Sequence, residues 1–197
     1  LTHFPDCLAE DGMPWMAFGG DYKDTGYKMS PALPSAWVRL LALMEGRGAV
    51  IPQKEKWAAL FIRSIAQTEF SCGLVYVSPN RPHITYPFHD TVAITGFELM
   101  SSVMAYRGFI VAERLFAGCV EDTIRQEWMD RAENIKRNLY RLYDGEQGVF
   151  LAGSYDNRQA DVWGSGLAYA LAGPDQQEAM GNYFLRNRDR IFREGMT

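Results

Sequence analysis

Two kinds of apolar run alternate along this chain. One is apolar around most of its circumference. The other carries a single stripe at helical spacing, with charges opposite. The first pair begins after Ser35, a predicted N-cap. A helix over about 36–46 puts Trp37, Leu40, Leu41 and Met44 on one face. Gly46 and Gly48 end it, and Pro52 opens a second helix over about 52–71, with Trp57, Leu60, Phe61 and Ile65 opposite Lys54, Glu55, Lys56 and Arg63. Residues 73–77 read as a short strand. The second pair starts at Asp90 with a long helix reaching about Ala117, in which Val92, Ile94, Phe97, Leu99, Val103 and Phe109 leave little polar surface. Gly96 and Gly108 lower helix propensity there and point to close packing or a kink. An amphipathic helix over about 121–143 follows, with Ile124, Trp128, Ala132, Ile135, Leu139 and Leu142 facing in. After the turn Asp144–Gly148 and a short strand at 149–151, Asp161 starts a buried helix over about 162–172. Pro174 opens the last, over about 174–190.

The expected fold is therefore all-α: about six main helices in three helical hairpins, with β pieces confined to loops. The predicted capping positions Ser35, Asp90 and Asp161 are unevenly spaced, so the repeat is one of structure and not of sequence. Consecutive buried helices in such a stack run parallel, because each is followed by an antiparallel outer one. The three long loops, 11–35, 78–90 and 151–161, all lead into buried helices and so fall on one face. The links at Gly46–Ile51, Gly118–Val120 and Gly173 are short. Loops gathered on one face of a rigid scaffold are where function is placed. Helix N-termini there favour carboxylates and hydroxyl-rich or anionic ligands.

Composition narrows the choice. The 197 residues, 47% hydrophobic and 22% charged, amount to a single domain, with 1–34 an irregular stretch. A net charge of −4 without a basic block argues against a nucleic-acid partner. No apolar run approaches the ~20 residues that span a membrane, and no signal-peptide pattern is present. Cys7, Cys72 and Cys119 are odd in number and widely spaced, which predicts reduced, buried thiols and a cytoplasmic location. His3 and Cys7 lack companions for a zinc site, so neither a metal nor a cofactor is expected. Aromatic residues crowd the loops. In a polar cleft their flat faces suit the C–H faces of a sugar, although they equally serve to wedge loops onto a helical core.

Asp90 and Asp161 are the candidate catalytic residues. Each directly precedes an apolar helix, which is also what an N-cap requires. Beside Asp90 lie Tyr86, Phe88 and His89. Trp163 and the Gly164-Ser165-Gly166 run follow Asp161. His89, Trp163, Tyr86, Trp15, Asp21 and Asp24 are candidate substrate contacts, the last two within a glycine-rich first loop. Glu98 and Glu113 fall on the buried helix and predict ion pairs with Arg107 or Arg114. There is no nucleophile elbow, no HExxH and no phosphate-binding glycine loop. Carboxylates on converging loops remain, the arrangement glycoside cleavage uses.

Three segments carry a family resemblance: Pro87 to Gly96, Tyr143-Asp144-Gly145 through Phe150, and Gln159 to Ala168. They resemble the inner-helix starts and helix-to-loop turn of the six-hairpin glycosidases, the (α/α)6 toroid superfamily, across roughly 80–195. The resemblance implies an α/α toroid, hydrolysis of glycosidic bonds in oligosaccharides, and acid or substrate-contact roles for Asp90 and Asp161. The helix count is about half that of a closed toroid. The expectation is an open half ring whose remainder is a second chain or a missing segment. Two alternatives stand beside a glycosidase: a non-catalytic carbohydrate-binding or assembly module on the same toroid, and an isoprenoid-type toroid enzyme with an apolar cavity.

Overall fold

The structure, a computed structural model, describes residues 33–80, 94–156 and 158–191. Among the described residues, six main helices form three hairpins: α1 (Leu33–Gly46) with α2 (Lys54–Ala66), α3 (Leu99–Leu115) with α4 (Asp122–Asn138), and α5 (Val162–Ala168) with α6 (Pro174–Arg186). A short α7 (Arg188–Ile191) follows. Helix α3 is the hub, packing against α1, α4 and α5. The fold is all-α, a partial α/α toroid. Among the described residues, no helix is long and apolar enough to cross a membrane.

The amphipathic stripes bury as their spacing requires. Trp57, Phe61 and Ile65 of α2 and Trp128, Ala132 and Ile135 of α4 are buried, and so are Leu139 and Leu142 just beyond. They meet Trp37 of α1 and Phe109 and Phe116 from α3 and its C-cap in one aromatic cluster. Phe61 is its centre, with ring centroids 5.4 Å from Trp128 and 5.9 Å from Trp37, both edge-on. Burying such rings contributes a few kcal/mol each. Leu40 does not join them: with Leu43 it lies on the open side of α1, 48% and 61% exposed.

Helix starts differ from expectation in instructive ways. Ser35 is not the cap of α1 but lies inside its first turn, buried against α3, where a Cβ on Gly108 would come within 2.5 Å of the Ser35 Cβ. Pro34 fits that turn because its missing N–H would have no helical partner. Pro52 stands before α2, whose cap is Gln53 in the left-handed region (φ 53°). Helix α2 stops at Ala66, short of the expected end, since Phe70 and Ser71 are extended and pair with Val75 and Leu74, and Cys72 and Gly73 between the strands both have positive φ (50° and 83°). That pair makes a tight hairpin turn. The turn joins β1 (Phe70–Ser71) to β2 (Leu74–Val77), with Phe70 opposite Val75. Cys72 at the turn is an exposed free thiol, not a buried one, and Cys119 is half-buried.

The largest correction concerns α3. It begins at Leu99, well after Asp90, and its cap is Glu98. Residues ahead of it are extended: β3 (Gly96–Phe97) pairs antiparallel with β2, completing a three-stranded sheet. Gly96 is there for its left-handed φ of 81°, not for helix packing. A second hairpin, β4 (Tyr143–Asp144) with β5 (Val149–Phe150), leads from α4 toward α5.

Candidate functional site

The segments leading into α3 and α5 zip together. The Phe97 N–H donates to Ser154 Oγ at 2.8 Å, and the Ser154 N–H returns to Phe97 C=O at 3.0 Å. Thr95 Oγ1 donates to Asp156 Oδ2 at 2.7 Å, and the Leu99 N–H donates to Ala152 C=O at 3.0 Å. Gly153 is required: a Cβ there would meet Ile94 Cγ2 at 2.7 Å and Asp156 O at 2.9 Å. The third long loop thus meets the segment just ahead of α3, while most of the 78–90 loop and nearly all of the first lie outside the described residues.

Asp161 is the N-cap of α5. Its Oδ1 accepts the Gly164 N–H at 2.8 Å, and its C=O accepts the Ser165 N–H at 2.9 Å. The Phe150 N–H donates to Ser165 Oγ at 3.0 Å, pinning the start of α5 to β5. Gly164 admits no side chain: its Cβ would lie 2.2 Å from Asp161 Oδ2 and 2.6 Å from Leu99 Cδ2. The carboxylate of Asp161 is therefore held against the start of α3.

Asp161 and Trp163 line a cleft of ≈ 450 Å³ with Gln147, Gln159, Tyr183, Asn187 and Arg190. Trp163 is 75% exposed, unusual for a tryptophan that contributes to no core. Gln147 is set by its turn, donating through Nε2 to Asp144 Oδ2 at 2.6 Å, while the Gln147 and Glu146 N–H groups bond Asp144 Oδ1. These bonds hold the Asp144 carboxyl below its ordinary range. The cleft thus combines an acid, a cation, carboxamides and two aromatic faces, a set suited to a hydroxyl-rich ligand.

Glu98 is the residue sequence reasoning misplaced. Among the described residues it has no arginine partner. It is wholly buried, and its Oε2 accepts the Ser101 N–H at 3.0 Å while Oε1 has no hydrogen-bond partner. Burial pushes its carboxyl up to about 8, and the charge on Asp161 adds to the rise. The available signal was Gly96, a breaker just before it. Glu113 pairs instead with Arg125 of α4, and Arg107 donates to Leu167 C=O at 2.7 Å. Burial, then the nearby Arg39, lowers the Arg107 guanidinium. Asp90, His89, Tyr86, Trp15, Asp21 and Asp24 lie outside the described residues, as does Cys7.

Neither a protein-family model nor a curated protein matches the chain. Among solved structures, the chain is similar to a rhamnosidase from Klebsiella oxytoca with rhamnose bound, at a TM-score of 0.66 and 16% identity over 91% of the chain. It spans 35% of that protein's length. The similarity is one of fold: the chain has a glycosidase-like fold.

Proposed function

We propose that the cleft beside Asp161 receives an oligosaccharide and that the protein belongs with the six-hairpin glycosidases as a glycoside hydrolase. The observation that carries this reading is the pairing of Asp161 with the exposed ring of Trp163 at the same helix start, inside the cleft. Trp163 would stack on the sugar, and Gln147, Gln159 and Asn187 would bond its hydroxyls. Hydrolysis then needs two carboxyl groups, one protonating the leaving oxygen and one activating water or attacking the sugar. Asp161 is one, and we assign Asp90 as the other, with His89 and Tyr86 beside it. Trp15, Asp21 and Asp24 complete the contacts from the first loop. A fold shared with a rhamnose-binding rhamnosidase makes a deoxyhexose a reasonable first substrate. The exposed Leu40 and Leu43 stripe is where the remainder of the ring would pack.

The test is turnover of a panel of nitrophenyl glycosides, rhamnosides included, by the wild type and by Asp161→Asn and Asp90→Asn. Each variant is expected to lose at least about a hundredfold while melting normally. Unchanged activity in both, or no turnover by the wild type, would overturn the hydrolase reading. A binding-only module is favoured by one observation: Asp161 Oδ1 is already engaged as a helix cap. That reading predicts sugar binding that Trp163→Ala abolishes, with no turnover. The cleft wall is part polar and part apolar, and so lends no support to an isoprenoid-type enzyme, which needs an apolar cavity.

A further inference from the structure

We propose that Glu98 is a positioning residue of this site: a buried carboxyl that serves in its neutral form, locking the start of α3 against the start of α5 and so fixing where Asp161 stands. The inference rests on the functional reading above for what Asp161 does, but not for where Glu98 lies.

Three geometric facts carry it. Glu98 has no exposed surface; its Oε2 accepts the Ser101 N–H, the Ser101 side chain and the Met100 backbone add bonds that burial outweighs, and Oε1 has no hydrogen-bond partner. An ionised carboxylate in that position would lack the compensation that burial demands. Secondly, Glu98 is at the joint between elements. Its own N–H donates to Val75 C=O on β2 at 3.0 Å, it bridges Gly153 on the segment leading to α5, and its C=O accepts from Ser102. Thirdly, Leu99, the next residue, reaches the same point beside Gly164 that the Asp161 carboxylate does. A change of charge at Glu98 therefore acts on Asp161 through one shared layer of packing.

Titratable groups on the surrounding elements are Tyr76 on β2, Tyr155 and Asp156 on the segment after β5, Asp161 at α5 and Arg107 further along α3. Of these, Asp161 is the one whose charge acts on Glu98, and it acts to keep the proton on. Above about pH 8 the proton leaves. Two like charges then face each other across the joint, and the N-termini of α3 and α5 separate or admit water.

The experiment is a carboxyl carbon-13 titration of the whole chain, with Glu98 and Asp161 assigned through Glu98→Gln and Asp161→Asn. Glu98 is expected to titrate near pH 8, and the Asp161 resonance to step at the same pH in the wild type but not in Glu98→Gln. A Glu98 that titrates in the ordinary carboxyl range, or an Asp161 resonance without that step, overturns the proposal. On any nitrophenyl glycoside the wild type cleaves, turnover should fall about tenfold from pH 7 to pH 9, as a group of this kind predicts. Glu98→Gln, the neutral isostere, should remove that fall, whereas Glu98→Ala should lose about tenfold at every pH. Loss of turnover in Glu98→Gln at pH 7 equal to that in Glu98→Ala would contradict a positioning role. A wild type that cleaves no glycoside sinks the functional reading, and the carbon-13 titration still decides the place of Glu98.

Discussion

Glu98 caps α3 and Asp161 caps α5, and the two carboxyls lie close enough for the charge on Asp161 to add to burial in keeping Glu98 protonated. Two acids that come from loops 63 residues apart (161 minus 98) are thereby joined at one helix-packing layer. One is buried and the other lines the cleft.

Stability should fall with pH because of Glu98. Its folded value of about 8 lies above the ordinary 4.5, so the unfolded chain releases a proton that the folded chain retains. Its contribution is complete below the ordinary value and declines as pH rises toward the folded one, by about 1.4 kcal/mol per pH unit within that window. Urea denaturation at intervals from pH 5 to pH 8 should show this slope in the wild type and a flatter one in Glu98→Gln, which gains on the wild type as pH rises. Parallel slopes would contradict it.

Asp161 has a capping role that can be separated from its chemistry. Asparagine caps about as well as aspartate, whereas alanine costs about 1 kcal/mol. Asp161→Asn should therefore melt with the wild type and Asp161→Ala below it. Equal melting of all three would show that the Gly164 N–H bond contributes nothing.

Gly164 and Gly166 stand in the same short helix and should respond in opposite directions. A methyl at Gly164 would strike the Asp161 carboxylate and Leu99, while Gly166 has nothing within 4 Å. Gly164→Ala should destabilise by about 1–3 kcal/mol through overpacking. Gly166→Ala should stabilise by up to about 1 kcal/mol through helix propensity. Thermal denaturation of the two variants checks both signs.

The helices were legible because their stripes are. Trp57, Phe61 and Ile65, and Trp128, Ala132 and Ile135, announce buried faces by spacing alone, and that periodicity survives into the packed structure. Boundaries were less legible where tertiary contacts set them. The apolar residues just after 93 look helical, yet Gly96 and Phe97 pair with β2 and with Ser154, so the helix waits until Leu99. Glutamate is a poor cap by propensity, and nothing local marks Glu98 as one. Its role comes from being enclosed by β2 and by the segment before α5, which only the fold supplies. Asp161 was readable as a helix start because cap, acid and aromatic neighbour are contiguous in sequence.

Trp163 carries the recognition half of the account. At 75% exposed it adds little to the core, so Trp163→Ala should melt within about 0.5 kcal/mol of the wild type. Sugar affinity, followed by calorimetry with a bound oligosaccharide, should weaken at least about tenfold. Unaltered affinity would place the ligand elsewhere.

The central claim is that Asp161 works on a glycosidic bond. It is tested most directly by comparing wild type and Asp161→Asn on the nitrophenyl glycoside panel at matched stability. The account predicts turnover of at least one glycoside by the wild type and a loss of at least about a hundredfold in the variant. Equal turnover by the two proteins would contradict it.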